Sequence, residues 1–389
     1  MTLQKTADEL LQNAVGSGSI PGVAATATNR EGVTYSGAFG KRIQGESAEM
    51  TPDTVVWIAS MTKALTSTAA MMLVEQGKLS LDGPAKEVLP YLGEVPVLEG
   101  FEDDGTPRTR PPQSDITLRQ LLTHTAGFSY EIWNADIMRY QEKMGLPGIT
   151  GCENKALETP LLFDPGTRWE YGINIDWAGK MIEAVSGQKL GDFLQENLFA
   201  PLGMSSTAFF ITPEMRSRMA KIHQRGEDAA LTPVMELEIP QEPEFQMGGG
   251  GLYGTIEDYL KFVQLILNDG KVGSTQLLQP QTVDALTANA MGETKVTVMR
   301  ATIPPLSNDA EFFPGLSKNW STAFMINEEQ APTGRSAGSL AWAGLANTYY
   351  WIDRSKGVGG VYATQILPFA DQYSLPLFLA FEKSVYSFS

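Results

Sequence analysis

The spacing of polar and apolar positions separates several kinds of element along the chain. Residues 2–15 (TLQKTADELLQNAV) repeat apolar residues every three or four positions, the period of an amphipathic helix. PGVAATATNR and GVTYSGAFGKR then form two strand-like runs joined by a polar turn from Asn29 to Gly32, which predicts a hairpin. After VVWIA, a helix is expected from about Ser60 to Glu75, with Gly77, Gly83 and Pro84 ending it. From about 80 to 250 the text changes to helical segments separated by Pro- and Gly-rich loops, including FEDDGTPRTRPPQSD and the turn FDPGTRWEYG. MGGGGLYGTIEDYLKFVQLILNDG leads from a glycine turn into another amphipathic helix. Strands then dominate (STAFMIN, GSLAWAGLA, NTYYWID, GVYATQI), and FADQYSLPLFLAFEKSVYSF returns to helix.

These elements predict an α+β fold: an antiparallel sheet flanked by helices from both chain ends, with a mostly helical insertion. The expected division is a discontinuous α/β-sandwich domain, residues 1–80 and 250–389, and a mainly helical domain, 81–249, with the active site in the cleft between them. At 389 residues the chain exceeds the size at which one core keeps growing. No internal repeat of 20 to 50 residues is visible, and the four glycines are the only low-complexity tract.

A formal charge of −16 argues against nucleic acid and anionic membranes as partners. No apolar run reaches the ~18 to 20 residues that span a bilayer, LPLFLAF being far shorter. The start of the chain carries acids in a helical pattern and lacks the features of a secretory signal, so a cytoplasmic location is expected. Cys152, the single cysteine, cannot form an internal disulfide.

Two histidines, His124 and His223, and one cysteine leave few catalytic designs. Neither histidine has the spacing of a zinc site, and no metal is expected. Gly334-Arg335-Ser336-Ala337-Gly338 matches the G-x-S-x-G elbow, but no histidine follows Ser336 and the context is a loop before a strand, so it reads as a turn of small residues. Gly249, Gly251 and Gly254 satisfy G-x-G-x-x-G without a preceding strand, which favours a tight reversal beside a cleft over a dinucleotide site.

Ser60-Met61-Thr62-Lys63 remains, an S-x-x-K at the start of a helix in which Lys63 is the only ionisable residue before Val74. Residues three apart share a helix face, so the Lys63 amine reaches the Ser60 hydroxyl, and apolar surroundings bring its pKa toward roughly 7 or 8. The same residues, read alone, also fit a capping serine and a lysine that snorkels to the surface. A serine–lysine pair needs a further proton carrier, for which Tyr171, in FDPGTRWEYGIN, is the candidate. Trp342-Ala343-Gly344-Leu345 lies on a predicted strand whose small residues admit a substrate carbonyl to the backbone. Tyr130 and Trp133 either line the cleft or belong to the core.

Taken in order, S-M-T-K at 60–63, LLTHTAG at 121–127, Tyr171 with Asn174 near it, Gly248 to Gly251 and W-A-G at 342–344 resemble the serine β-lactamase and penicillin-binding superfamily. The pattern is most similar to family VIII carboxylesterases, which share the class C β-lactamase fold, and it runs from Ile20 to Phe381. The resemblance implies Ser60 as acylated nucleophile, Lys63 as its base and Tyr171 as proton shuttle. It also implies an oxyanion hole from the N–H groups of Ser60 and Leu345, worth roughly 3 to 4 kcal/mol per donor. Trp342 and Gly344 would line the substrate site, and no metal or organic cofactor is implied.

Trp342 replaces the lysine of the β-lactamase Lys-Thr-Gly, which removes a cation that holds a carboxylate and favours neutral, compact ester substrates. Tyr171-Gly172-Ile173 replaces Tyr-Ser-Asn, with Asn174 one residue displaced as a possible substitute for the lost amide. The expected activity is therefore a carboxylesterase with at most weak β-lactam turnover. The alternatives are a β-lactamase or D-amino-acid peptidase, or an acyltransferase or non-hydrolytic penicillin-binding-like protein. His124 is expected to hold a loop, and His223 to lie at the surface.

Overall fold

The computed structural model describes residues 2–388. Its centre is a seven-stranded antiparallel sheet made from both ends of the chain. β1 (Gly22–Asn29) and β2 (Val33–Gly40) form the expected hairpin. β3 (Lys318–Trp320), β4 (Met325–Asn327), β5 (Leu340–Gly344), β6 (Thr348–Asp353) and β7 (Val358–Ala363) complete the order β3-β4-β5-β6-β7-β1-β2. The junction between the two ends is β1 on β7, with Ala24 opposite Ala363 and Thr26 opposite Val361. β3 is a strand that the polar text KNW did not announce.

Side chains alternate across β6, and each face finds a helical cover. Tyr349 and Trp351 pack on Phe378 of α5 (Ser374–Tyr386) at ring separations of 4.7 and 6.0 Å. Tyr350, pointing the other way, meets Tyr259 of α4 (Ile256–Leu267) at 5.0 Å. α1 (Leu3–Gly16), capped by Thr2, buries Ala7 and Leu11 beside α5. Buried Arg335 pairs with buried Glu382 of α5, which ties the turn before β5 to that helix. This is the α+β sandwich of sheet and flanking helices that the sequence pattern implied.

α2 (Thr62–Glu75) is buried from Thr62 through Leu73, so its weakly polar composition reflects burial on all sides. Its threonines are not idle: Thr66 donates to Gly248 O, and Thr62 accepts from Leu252 N–H. α3 (Asn174–Ser186) packs across α2. Between 81 and 249 helices alternate with two small sheets. The segment FEDDGTPRTRPPQSD, expected to be a loop, contributes to a hairpin of Val97–Phe101 with Pro107–Arg110. Among the described residues no helix is long and apolar enough to cross a membrane.

Candidate active site

Ser60 is placed by a sharp turn. Val56 and Trp57 pair with Gly254 and Tyr253, and Ile58 N–H donates to Leu252 O. Ala59 then adopts φ 45°, a left-handed conformation that a residue with a Cβ takes only when its surroundings hold it there. One 3₁₀ turn, Ala59–Met61, feeds into α2, which sets Ser60 at the helix entrance. β5 presses against this turn: a Cβ on Gly344 would meet Ile58 O at 2.3 Å, so only glycine fits. Leu345 thereby comes to line the same cavity as Ser60.

One helical turn on, Lys63 is 1% exposed, and its amine has three partners. Nζ lies 3.1 Å from Ser60 Oγ, 3.0 Å from Tyr130 OH and 2.5 Å from Gly249 O. Buried Asp176, in the first turn of α3, accepts from Gly249 N–H at 2.8 Å and faces Tyr130 OH at 3.5 Å. Tyr130 and Gly249 thus bridge the amine and the carboxylate. Burial pushes the Lys63 ammonium down to about 7, opposed by the charge of Asp176. Burial likewise raises Asp176 to about 6, opposed by Lys63, so the two titrate as a pair.

This coupling gives a pH prediction. The negative charge of Asp176 favours the ammonium form of Lys63, so its removal lets the lysine pKa fall further. In Asp176→Asn the acid limb of kcat/KM against pH is expected to move to lower pH by about one unit or more. Ester hydrolysis measured from pH 5 to 9 checks this, and a limb that stays in place or moves to higher pH contradicts it.

Tyr171 stands beside Lys63, whose Nζ lies 4.7 Å from the centre of its ring. The Trp342 indole N–H donates to Tyr171 OH at 2.9 Å. Burial raises the tyrosine pKa, with the Ser60 hydroxyl and the Trp342 N–H opposing that rise. Trp342 sits edge-on to Trp320 at 4.6 Å, and Tyr171 also packs on His124 at 4.8 Å.

Ser60, Lys63, Tyr171, Trp342, Gly344 and Leu345 therefore converge on one place. Asp176, Tyr130 and Gly249 join them. Tyr130 was visible in the sequence only as either cleft or core, and the one sign of Asp176 is an acid among apolar neighbours in INIDWAG.

Four expectations are revised or located. Asn174 does not replace the missing lactam-contacting amide: it is fully buried, its Nδ2 lying 3.2 Å from both His124 Nδ1 and Phe128 O. His124 holds that loop as expected, its carbonyl accepting from Glu170 N–H. His223 is not a surface residue but is 1% exposed, because its strand, Ile222–Arg225, is sandwiched between Leu231–Val234 and Ile366–Leu367; its Nε2 accepts from Gln44 N–H. Ser336 lies in the turn before β5, where its N–H donates to Asp353.

The cavity at Ser60 is lined by Trp57, Ile132, Trp133, Ile149, Met247 and Leu345, and its free volume is about 30 Å³. Larger hollows of about 440 and 560 Å³ lie at Arg30–Arg354 and at Phe312–Leu379, away from the serine. No group of three or more His, Cys, Asp or Glu side chains arranged to hold a metal occurs among the described residues.

The Beta-lactamase family model matches residues 7–379. The lovastatin esterase of Penicillium rubens is 32% identical over 97% of this chain and 97% of its own. A monacolin J acid methylbutanoyltransferase of Aspergillus terreus is 32% identical over 97% of this chain and 94% of its own. The structure of the LovD6 mutant of simvastatin synthase from Aspergillus terreus superposes with a TM-score of 0.86 at 30% identity, covering 98% of this chain and 96% of that one.

Proposed function

The chain belongs to the beta-lactamase family of serine hydrolases and acyltransferases, and from that premise we propose that it cleaves carboxylic esters through an acyl-enzyme on Ser60. The observation that carries the reading is the Ser60 hydroxyl 3.1 Å from a buried lysine whose pKa is brought down to about 7. A neutral Lys63 takes the serine proton as Oγ attacks the ester carbonyl. The N–H groups of Ser60 and Leu345 receive the developing oxyanion. Tyr171, kept protonated by its burial, relays to the departing alkoxide the proton that Lys63 took, and in the second step relays one from the next nucleophile to Ser60.

Within the family, Trp342 and the absence of an amide from Asn174 support a neutral ester as substrate, as in the family VIII carboxylesterases that the motifs resemble. The cramped, apolar cavity supports a compact acyl group, with flexible Met247 the lining residue best able to yield. The likeness to a methylbutanoyltransferase supports a short branched acyl group such as methylbutanoyl. Transfer of the acyl group to an alcohol instead of water is the second reading, favoured by the methylbutanoyltransferase likeness.

The test is intact-protein mass spectrometry after a serine-directed phosphonate, with peptide mapping, beside initial rates on p-nitrophenyl acetate and nitrocefin. One adduct, on Ser60, is expected, with ester turnover exceeding nitrocefin turnover. A label on another serine refutes the acyl-enzyme assignment, and faster nitrocefin turnover reverses the order of ester and lactam.

A further inference from the structure

Resting on the Ser60 acyl-enzyme reading, we propose that the indole N–H of Trp342 decides the fate of the acyl group. By occupying Tyr171 it disfavours water and directs the acyl group to an alcohol carried on an apolar body. A tyrosine hydroxyl offers one proton and two lone pairs. Trp342 N–H takes one lone pair at 2.9 Å. The indole is 4% exposed and wedged between Trp320 at 4.6 Å, Tyr171 at 5.0 Å and Phe312 at 5.8 Å, so it cannot swing away.

The neighbouring amine offers a water nothing more. Lys63 Nζ already has Ser60, Tyr130 and Gly249 within hydrogen-bond distance, the three directions an amine commands. What remains for an incoming nucleophile is the second lone pair of Tyr171; the cavity at Ser60 adds the apolar walls of Trp57, Ile132, Trp133, Ile149, Met247 and Leu345 and the polar Tyr130 and Thr150, the Tyr130 hydroxyl being already within reach of Lys63 and Asp176. An ordered water needs two to four polar partners, and beyond Tyr171 this place supplies little more than the Thr150 side chain. An alcohol needs only the one hydrogen bond, because burial of its apolar body against these side chains holds it in position.

The transfer balances without a further reactant. The acceptor hydroxyl oxygen bonds to the acyl carbon and its proton passes to the Tyr171 oxygen. The tyrosine's own proton goes to Ser60 Oγ as the carbonyl–Oγ bond breaks, releasing the new ester and free serine. The elevated pKa of Tyr171 suits this exchange, since the hydroxyl starts and ends protonated.

The test uses p-nitrophenyl butyrate as acyl donor with graded 2-phenylethanol, product ester and butyric acid being quantified by chromatography for wild type and Trp342→Phe. Wild type is expected to form ester in preference to acid well before the alcohol approaches the concentration of water. In Trp342→Phe, which keeps a ring but frees the lone pair, the ester-to-acid ratio at fixed alcohol is expected to fall about tenfold, the equivalent of one hydrogen bond. An unchanged ratio in a variant that still acylates Ser60 overturns the proposal, as does a wild type that loses the acyl group only to water at every alcohol concentration. Absence of any butyryl adduct on wild-type Ser60 instead removes the acyl-enzyme reading beneath it, so the two failures are told apart by mass.

Discussion

Lys63→Met is expected to lower kcat/KM for a p-nitrophenyl ester by about 10³- to 10⁴-fold, the contribution of a lost general base to a serine nucleophile. Methionine fills the channel occupied by the lysine stem, so the loss reports chemistry and not a cavity. The rest of the site keeps its form: Asp176 still accepts from Gly249 N–H, and Tyr171 still accepts from Trp342. Rescue by external amines or by raised pH should be slight, because the replaced amine was 1% exposed.

The same variant makes a separable statement about stability. Without the cation, buried Asp176 has only neutral partners, and its pKa rises above the value of about 6 that it holds beside Lys63. A carboxyl whose folded pKa is raised binds more protons when folded, so stability falls as pH climbs from about 4 toward that pKa. Lys63→Met should therefore melt closer to wild type at pH 5 than at pH 8. Lys63→Met/Asp176→Asn should recover stability at pH 8 without recovering activity, since a buried charge left alone is what costs about 3 to 5 kcal/mol. A double variant with restored turnover would show that Lys63 is not the base.

The proposed catalytic pair was legible because it is local. Ser60 and Lys63 are three residues apart on one helix, and the uncharged run to Val74 announced the burial that tunes the lysine. The groups that complete the site come from distant segments, and their positions depend on α3 crossing α2. Tyr130 lies in an irregular loop, Asp176 in a helix and Gly249 in a turn, with nothing in their separations to link them. His223 shows the same limit: HQR reads as exposed, and only its pairing with Ile366–Leu367 and Leu231–Val234 buries it. The hairpin at Val97–Arg110 was hidden by charge and proline, its strands being fixed by pairing and by the Arg110 ion pair to Asp164. Arg335, in contrast, is explained by a buried ion pair with Glu382, which accounts for the G-x-S-x-G string without any chemistry at Ser336.

Gly249→Ala is expected to cost about 10²-fold in kcat/KM, the scale of a misplacement near 1 Å at a reacting centre. The reason is steric before it is chemical. A Cβ at this position would meet Asp176 Oδ2 at 2.6 Å and Tyr130 OH at 2.8 Å, two side chains that are themselves buried and hydrogen-bonded. The backbone must give, and it carries both the carbonyl that faces Lys63 at 2.5 Å and the N–H that Asp176 accepts at 2.8 Å. Losing the carbonyl frees the amine to swing from Ser60. Losing the N–H raises the Asp176 pKa further, since that bond stabilised the carboxylate. The change should lower stability by about 1 to 3 kcal/mol, as overpacking does. Gly250→Ala is the control, because its Cβ would meet nothing tighter than the flexible end of Met247 at 3.1 Å, the Ala59 backbone lying at an ordinary 3.9 Å. That variant should keep activity to within about tenfold, the methyl being absorbed by a rotamer change in Met247. Equal losses in both variants would mean that the glycine turn matters as a whole. A loss confined to Gly249→Ala, at wild-type secondary structure, would place the effect in the contacts among Lys63, Asp176 and Tyr130.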